Sequence, residues 1–448
     1  MIIHNCRIVT WEENNQLLTG YAVRIVDDHI VTIQREQELL DQYPSEDTLD
    51  AHGQLLMPGL ICAHTHFYGA FSRGMSLLGE APAAFPEILT HLWWPLDRSL
   101  DEESVYYSTL VCLIDAIKHG TTTVFDHHAS PMFISGSLDT IAKGLREVGI
   151  RGSVCYEVTD RGGHDKALEG IEENLRMIRK YHANPLDSMV IPTFGLHASL
   201  TLSNETLKCC QDRISSGFGF HVHIAEHQSD QFNSLQKSGL RVVQRLAHFG
   251  MTGKDSIFVH GVHIDAKEQQ IITDTHTWLT HQPRSNMNNA VGMAAVESFL
   301  NMGIPVCIGN DGFSFAMWDE WRACYLAHKL WHRDPRSMNG ALVTEMGARN
   351  NAAMASHFFN SKIGEISPGA KADLILVDYT PFTEMTTGNL PWHILFGFRD
   401  SMVTMTMVNG KLLMKDRTLL FLDEAKISIE ASRVSKEVWA RYQHQTIG

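Results

Sequence analysis

The sequence predicts an α/β protein: a (β/α)8 TIM-type barrel with a small discontinuous β-sandwich domain built from both termini. Three observations predict it. Eight apolar, strand-like runs alternate with helix-patterned stretches through the middle of the chain. Almost every run turns polar at its C-terminal end. Both ends of the chain are strand-rich and enclose that middle.

Residues 1–57 form the N-terminal part of the small domain. "NCRIVT" and "YAVRIVDDHIVTI" carry β-branched residues, and the second folds back at Asp27-Asp28. The barrel is placed at residues 58–362. Its strands are "LLMPGLICAHTH", "TTTVFDHH", "RGSVCYEV", "MVIPTFGLHA", "GFGFHVHIAE", "DSIFVHGVHI", "TWLTHQPRSN" and "PVCIGNDG". Between them, "DEESVYYSTLVCLIDAIKHG" and "SLDTIAKGLREVG" have helix-spaced apolar residues. Gly120 and Gly149 stand where left-handed glycines end helices. Residues 363–448 return to strands in "KADLILVDY" and "MVTMTMVNGKLLM", with a hairpin turn at Asn409-Gly410 and a terminal helix beyond. No Gly-x-Gly-x-x-Gly opens a helix, so a dinucleotide-binding fold lacks its main support.

The net charge of −14 argues against nucleic acid, which needs a basic face, and against an anionic membrane surface. No run of 18 apolar residues exists, and "MIIHNCRIVTWEENN" lacks a basic leader with a long apolar core. The eight cysteines contain no C-x-x-C pair and read as reduced thiols of a cytoplasmic protein.

The polar strand ends are His64, His66, Asp126, Glu157, His197, His223, Glu226, His260, Asn286 and Asp311. In a barrel these ends converge on one face, where chemistry sits. With 25 histidines in 448 residues, about 1.4 His-x-His pairs arise by chance. Either His64-x-His66 or His221-x-His223 alone is therefore ordinarily a hydrogen-bonded histidine pair. Their strand context changes this. Residues i and i+2 of a strand point the same way, so His64 and His66 can grip one ion. His223 and Asp311 stand where a barrel would supply a third imidazole and a carboxylate.

These motifs resemble the amidohydrolase superfamily, in its cytosine deaminase and triazine chlorohydrolase-like branch. "MPGLICAHTHF", "HVHIAE", "VHGVHI", "HQPRSNMNNAVG" and "GNDG" carry the resemblance along the barrel. "GEISPGAKADLILVD" and "VNGKLL" carry it into the small domain. Through "RSNMNN", "HHASP", "LDEES" and "HFYGAFSRG" the chain also resembles the SsnA-type aminohydrolases. The resemblance implies one divalent ion held by His64, His66, His223 and Asp311. Zn²⁺ is expected and Fe²⁺ is the alternative. It selects His223 over His221, because Glu226 follows three residues later, and leaves His221 packed one layer deeper. No lysine ends the fourth or fifth strand to bridge a second ion.

Three catalytic residues follow. Asp311 binds the ion and accepts a proton from its water. Glu226 protonates a ring nitrogen of the substrate, and His260 stabilises developing charge. The bland readings are a helix N-terminal carboxylate for Glu226 and a packed ring for His260. One of His127 and His128 is expected to line the cleft, and His263 to lie outside the chemistry. Loop 67–100 is long enough to cover the barrel mouth and offers Arg73, Trp93 and Trp94. His197, Arg284 and Asn286 complete the expected substrate contacts. The expected activity is hydrolytic deamination of an amino-substituted N-heterocycle such as a purine, pyrimidine or pterin. The alternatives are cyclic amidine or imidazolone ring opening, triazine dechlorination, and a non-catalytic barrel acting as a binding subunit. The expected partner is the small-molecule heterocyclic substrate, together with a second copy of the chain in a homo-oligomer.

Overall fold

The computed structural model describes residues 1–184 and 189–445. The barrel strands are β1 (Leu60–Thr65), β2 (Thr121–Asp126), β3 (Arg151–Val154), β4 (Val190–Pro192 and Phe194–Ala198, split at Thr193), β5 (Phe220–Ile224), β6 (Ile257–His260), β7 (Trp278–His281) and β8 (Val306–Ile308). All neighbouring pairs are parallel. They form one sheet from β1 to the first piece of β4 and another from its second piece to β8. A helix follows each strand, as a TIM-type barrel requires. β2 and β5 are buried along their whole length, which explains why they read as unbroken buried runs rather than alternating ones.

The first and last strands meet at the future site. The Asn310 N–H donates to the His64 carbonyl at 3.0 Å, and the His66 N–H donates to the Asp311 carbonyl at 3.0 Å. Gly309 permits this approach, since a Cβ there would lie 2.6 Å from the His64 carbonyl oxygen. The predicted helices form at Glu102–Lys118 and Ser137–Val148. Asp101 caps the first through the Ser104 N–H, and Gly120 and Gly149 lie beyond their ends at φ of 76° and 86°.

Nine strands from both termini form a single mixed sheet. Its seam is Leu55–Pro58, parallel to Ile2–Val9 and antiparallel to Leu374–Val377. Alternation along the seam divides the two faces. Leu56 and Leu374 join an apolar cluster within the sheet domain, while Leu55, Met57 and Ile375 join the main core against the barrel. Asn409 and Gly410 turn the hairpin between Val403–Val408 and Lys411–Lys415, both at positive φ. The buried Arg151 of β3 pairs with Asp373 and Asn409, tying the barrel to this sheet.

The helix Glu424–Gln443 buries Ala431, Val434, Val438 and Tyr442 in one stripe and packs on Glu102–Lys118. It also grips the connection after β1. Trp439 Nε1 donates to the Phe71 carbonyl at 2.7 Å, and the Tyr442 hydroxyl accepts the Leu78 N–H at 3.1 Å and donates to the His91 carbonyl.

Candidate active site

At the C-terminal ends of β1, β5 and β8, donor atoms of His64, His66, His223 and Asp311 all lie within 4.8 Å of one another. His66 Nε2 is 3.2 Å from His223 Nε2 and 3.0 Å from Asp311 Oδ1. Those are edges of a tetrahedron with metal–ligand bonds of about 2.0 Å. The opposite nitrogens are held by the protein. His66 Nδ1 donates to the His127 carbonyl at 2.5 Å, and His223 Nδ1 donates to the His197 carbonyl at 2.7 Å. A carbonyl only accepts, so both rings must carry a proton on Nδ1, and Nε2 is the atom each ring can offer to a cation. His64 Nδ1 pairs with His221 Nε2 at 2.9 Å, and its own Nε2 is buried without a hydrogen-bond partner. Ser285 donates to Asp311 Oδ2, leaving Oδ1 to face the imidazoles. These residues fit a divalent cation.

Burial pushes His64 down to about 3 and His223 well below the usual imidazole range, so both are neutral and able to ligate. Burial also lowers His66, but the carboxylates of Asp311 and Glu157 outweigh it and raise this ring to about 9. Cation binding must therefore displace a proton there.

The backbone is bent at each functional end. Ala225, His260 and Asp311 hold φ of 45°, 72° and 56°, each costing on the order of 1 kcal/mol. The bends aim Glu226, His260 and Asp311 into the cleft. Glu226 Oε2 lies 3.4 Å from His260 Nε2, and its Oε1 accepts from Asn289 Nδ2 at 3.2 Å. Burial, and then the neighbouring Asp311, raise the Glu226 carboxyl well above its usual range, which favours its protonated form. Burial lowers His260 to about 4, and its Nδ1 donates to Asn286 Oδ1 at 3.0 Å.

The cleft opens above the cation-site residues, with His66, His223, Glu226, His260 and Asp311 in its lining. The connection after β1 supplies its apolar wall with Tyr68, Phe85, Leu89, Trp93 and Trp94. His197 lines the cleft too, through a ring whose Nδ1 meets Thr201 Oγ1 at 2.7 Å.

Other expected residues lie elsewhere. Arg284 is absent from the cleft lining: its guanidinium is bound to Glu320 and to the Ser314 carbonyl, and rests on the Phe313 ring. Arg73 lines an outer groove with Asp115, Lys118 and Glu424. Asn286 reaches the chemistry only through His260. Neither His127 nor His128 lines the cleft; His127 Nε2 donates to the His221 carbonyl below it, 2.9 Å away.

Several lining residues were not singled out in the sequence, among them Tyr68, Phe85, Leu89, Asp97, His227 and Asp230, and two others were only partly legible. Asn289 was visible only as part of an Asn-rich loop that equally signals a turn. Glu157 was visible as a polar strand end, but its contacts with His66 and His127 come from three strands. Asp97, paired with Arg161 at 2.6 Å, had no signal in sequence.

The sequence profile described as the amidohydrolase family matches residues 55–413. A 5-methylthioadenosine/S-adenosylhomocysteine deaminase of Acetivibrio thermocellus is 28% identical over 446 residues, covering 98% of this chain and 99% of that protein. A 5'-deoxyadenosine deaminase of Methanosarcina barkeri is 28% identical over 447 residues, with coverage of 98% and 99%. Among solved structures, an adenosine deaminase from Xanthomonas campestris with bound zinc superposes with a TM-score of 0.85 at 20% identity over 98% of both chains, a likeness of fold. With a family profile spanning the barrel and reaching the terminal sheet, this chain belongs to the amidohydrolase family.

Proposed function

We propose that this amidohydrolase removes the exocyclic amino group of an amino-substituted N-heterocycle, with adenine-bearing nucleosides as its leading substrate class. The observation that carries the reading is Glu226: a buried carboxyl beside the cation site, its pKa raised by burial, held by Asn289 and 3.4 Å from His260. Such a group donates a proton where a ring nitrogen must be made electrophilic. The named relatives deaminate adenine-bearing compounds, and the aromatic wall of Trp93, Trp94 and Tyr68 suits a flat ring.

A bound divalent cation, for which we propose Zn²⁺ over Fe²⁺, supplies hydroxide at neutral pH by lowering the pKa of water. The side chains do the rest. Asp311 Oδ1 accepts the proton that water gives up. Glu226 delivers its proton to the ring nitrogen next to the carbon under attack. His260, with its proton on Nδ1, accepts a hydrogen bond from the attacking water at Nε2 and orients it. The proton held on Asp311 then passes to the amino nitrogen, whose bond to the ring carbon breaks, and ammonia leaves. Asn286 sets the His260 tautomer, and Asn289 orients Glu226.

We further read the chain as residues 1–57 and 363–448 forming a small β-sandwich around a barrel at 58–362. The apolar cluster that draws Ile3, Ile8 and Val23 together with Leu374 and Met405 supports it. Eight free cysteines, six of them buried, fit a cytoplasmic protein. Among the described residues no helix is long and apolar enough to cross a membrane. A homo-oligomer stays within this proposal.

The test is ammonia release by Zn²⁺-loaded protein from adenine nucleosides, other aminopurines, pyrimidines, pterins and triazines, with halide measured in parallel. Ammonia from an adenine nucleoside is expected, with loss of turnover on metal removal. Glu226→Gln should keep its metal and lose about 10²- to 10⁴-fold in kcat. Wild-type turnover by that variant, or halide without ammonia, overturns the reading.

A further inference from the structure

A second group of soft and borderline donors lies between β7 and the helix that follows β8, outside the cleft lining. His281 ends β7, and Cys324 and His328 stand one turn apart on the helix Met317–His332 that follows β8. All three are buried, with exposures of 1%, 0% and 0%. Each offers a ligand atom within 4.8 Å of the other two, and none belongs to the catalytic cluster.

The geometry repeats that of the catalytic pair. His281 Nε2 and His328 Nε2 are 3.3 Å apart, against 3.2 Å for His66 and His223. Both values match the edge of a tetrahedron with zinc–nitrogen bonds of about 2.0 Å. One N–H···N bond between neutral rings would also bring the nitrogens this close. Such a bond gives no role to the Cys324 thiol, whose sulfur converges with the two rings in the same buried place. Spacing i, i+4 on the helix puts Cys324 and His328 on one face, opposite the strand that carries His281.

We propose that His281, Cys324 and His328 form a second metal site, taking a thiophilic cation of the Zn²⁺ or Cu⁺ type and fastening β7 to the Met317–His332 helix. The thiol proton is released as the sulfur binds. His₂Cys is a donor set for such ions, whereas the catalytic cluster has no sulfur ligand. Because the site is fully buried, it fills as the chain folds. The proposal is independent of the deaminase reading.

The difference in donors supplies the test. Full-length protein folded with Co²⁺ should hold two equivalents per chain and show an intense near-ultraviolet thiolate-to-cobalt absorption. Cys324→Ser should lose that absorption and fall to one equivalent, while ammonia release is retained. Should that variant fail to fold, His328→Gln gives the same reading, since cobalt left without an imidazole partner loses the band and the second equivalent. Elemental analysis of protein grown without added metal tells zinc from copper. A wild type that takes up cobalt without the thiolate band, or a band that survives both substitutions, overturns the proposal.

Discussion

Asn286 and Asn289 stand three residues apart on one short helix, and each holds a different proton-handling group. Asn286→Ala should free the His260 ring while leaving the substrate walls intact. A hydrogen bond to a buried neutral ring is worth about 1 kcal/mol, so kcat should fall roughly 5-fold with KM little changed. Steady-state kinetics on the active substrate checks this, and an unchanged kcat would free His260 from dependence on Asn286. Asp97 gives a pH prediction. Burial raises its carboxyl from 3.8 to about 6 in spite of Arg161 beside it. The folded chain thus holds this proton more tightly than the unfolded chain does. Below pH about 3.8 the group contributes no difference, and as pH rises toward about 6 it withdraws stability, about 1.4 kcal/mol per unit. Asp97→Asn should flatten the stability profile between those values, as read from urea midpoints across pH. An unchanged slope would show that the folded pKa is not raised.

The connection after β1 forms much of the cleft wall although it has only short helical turns of its own. Its shape is imposed by the last helix of the chain, through Trp439, Arg441 and Tyr442. Arg441 Nε donates to the Ser99 carbonyl at 2.6 Å, at the far end of the connection. Tyr442→Phe removes one hydroxyl that serves both Leu78 and His91. Its loss should cost about 1–3 kcal/mol and loosen the aromatic wall. KM should rise several-fold with metal content unchanged; equal KM in variant and wild type would sever the link between this helix and the cleft.

Two bodies of structure meet at one buried ion pair. Arg151 on β3 faces Asp373 at the edge of the terminal sheet, both almost fully buried, and Asn409 takes a second guanidinium nitrogen at 2.7 Å. Removing one partner strands the other charge in the interior, so Asp373→Ala should cost about 3–5 kcal/mol. The fall should appear as a lower denaturation midpoint. Replacing both partners by apolar residues should cost less than Asp373→Ala alone. A double variant no more stable than the single one would mean the pair is worth its desolvation.

The sequence by itself carried the repeating strand–helix pattern of the barrel and the polar strand ends from which the proposed cation site is built. It could do so because strands buried on both faces are long apolar runs, and a polar residue closing such a run marks the catalytic end. His64, His66, His223, Glu226, His260 and Asp311 were legible as strand ends for that reason, and the family resemblance then gave them their expected roles and chose His223 over His221. Only the tertiary structure decided what surrounds them. Arg284 reads as a substrate contact until Glu320 from a later helix claims it. Asn289, Glu157 and Asp97 enter the cleft by pairings 63, 30 and 64 residues away in sequence. The donors on β7 and its neighbouring helix likewise meet only across 47 residues. Local patterns reveal which face a residue takes within its own element. Which partner waits there is set by how distant elements pack, and no single stretch of sequence carries that information.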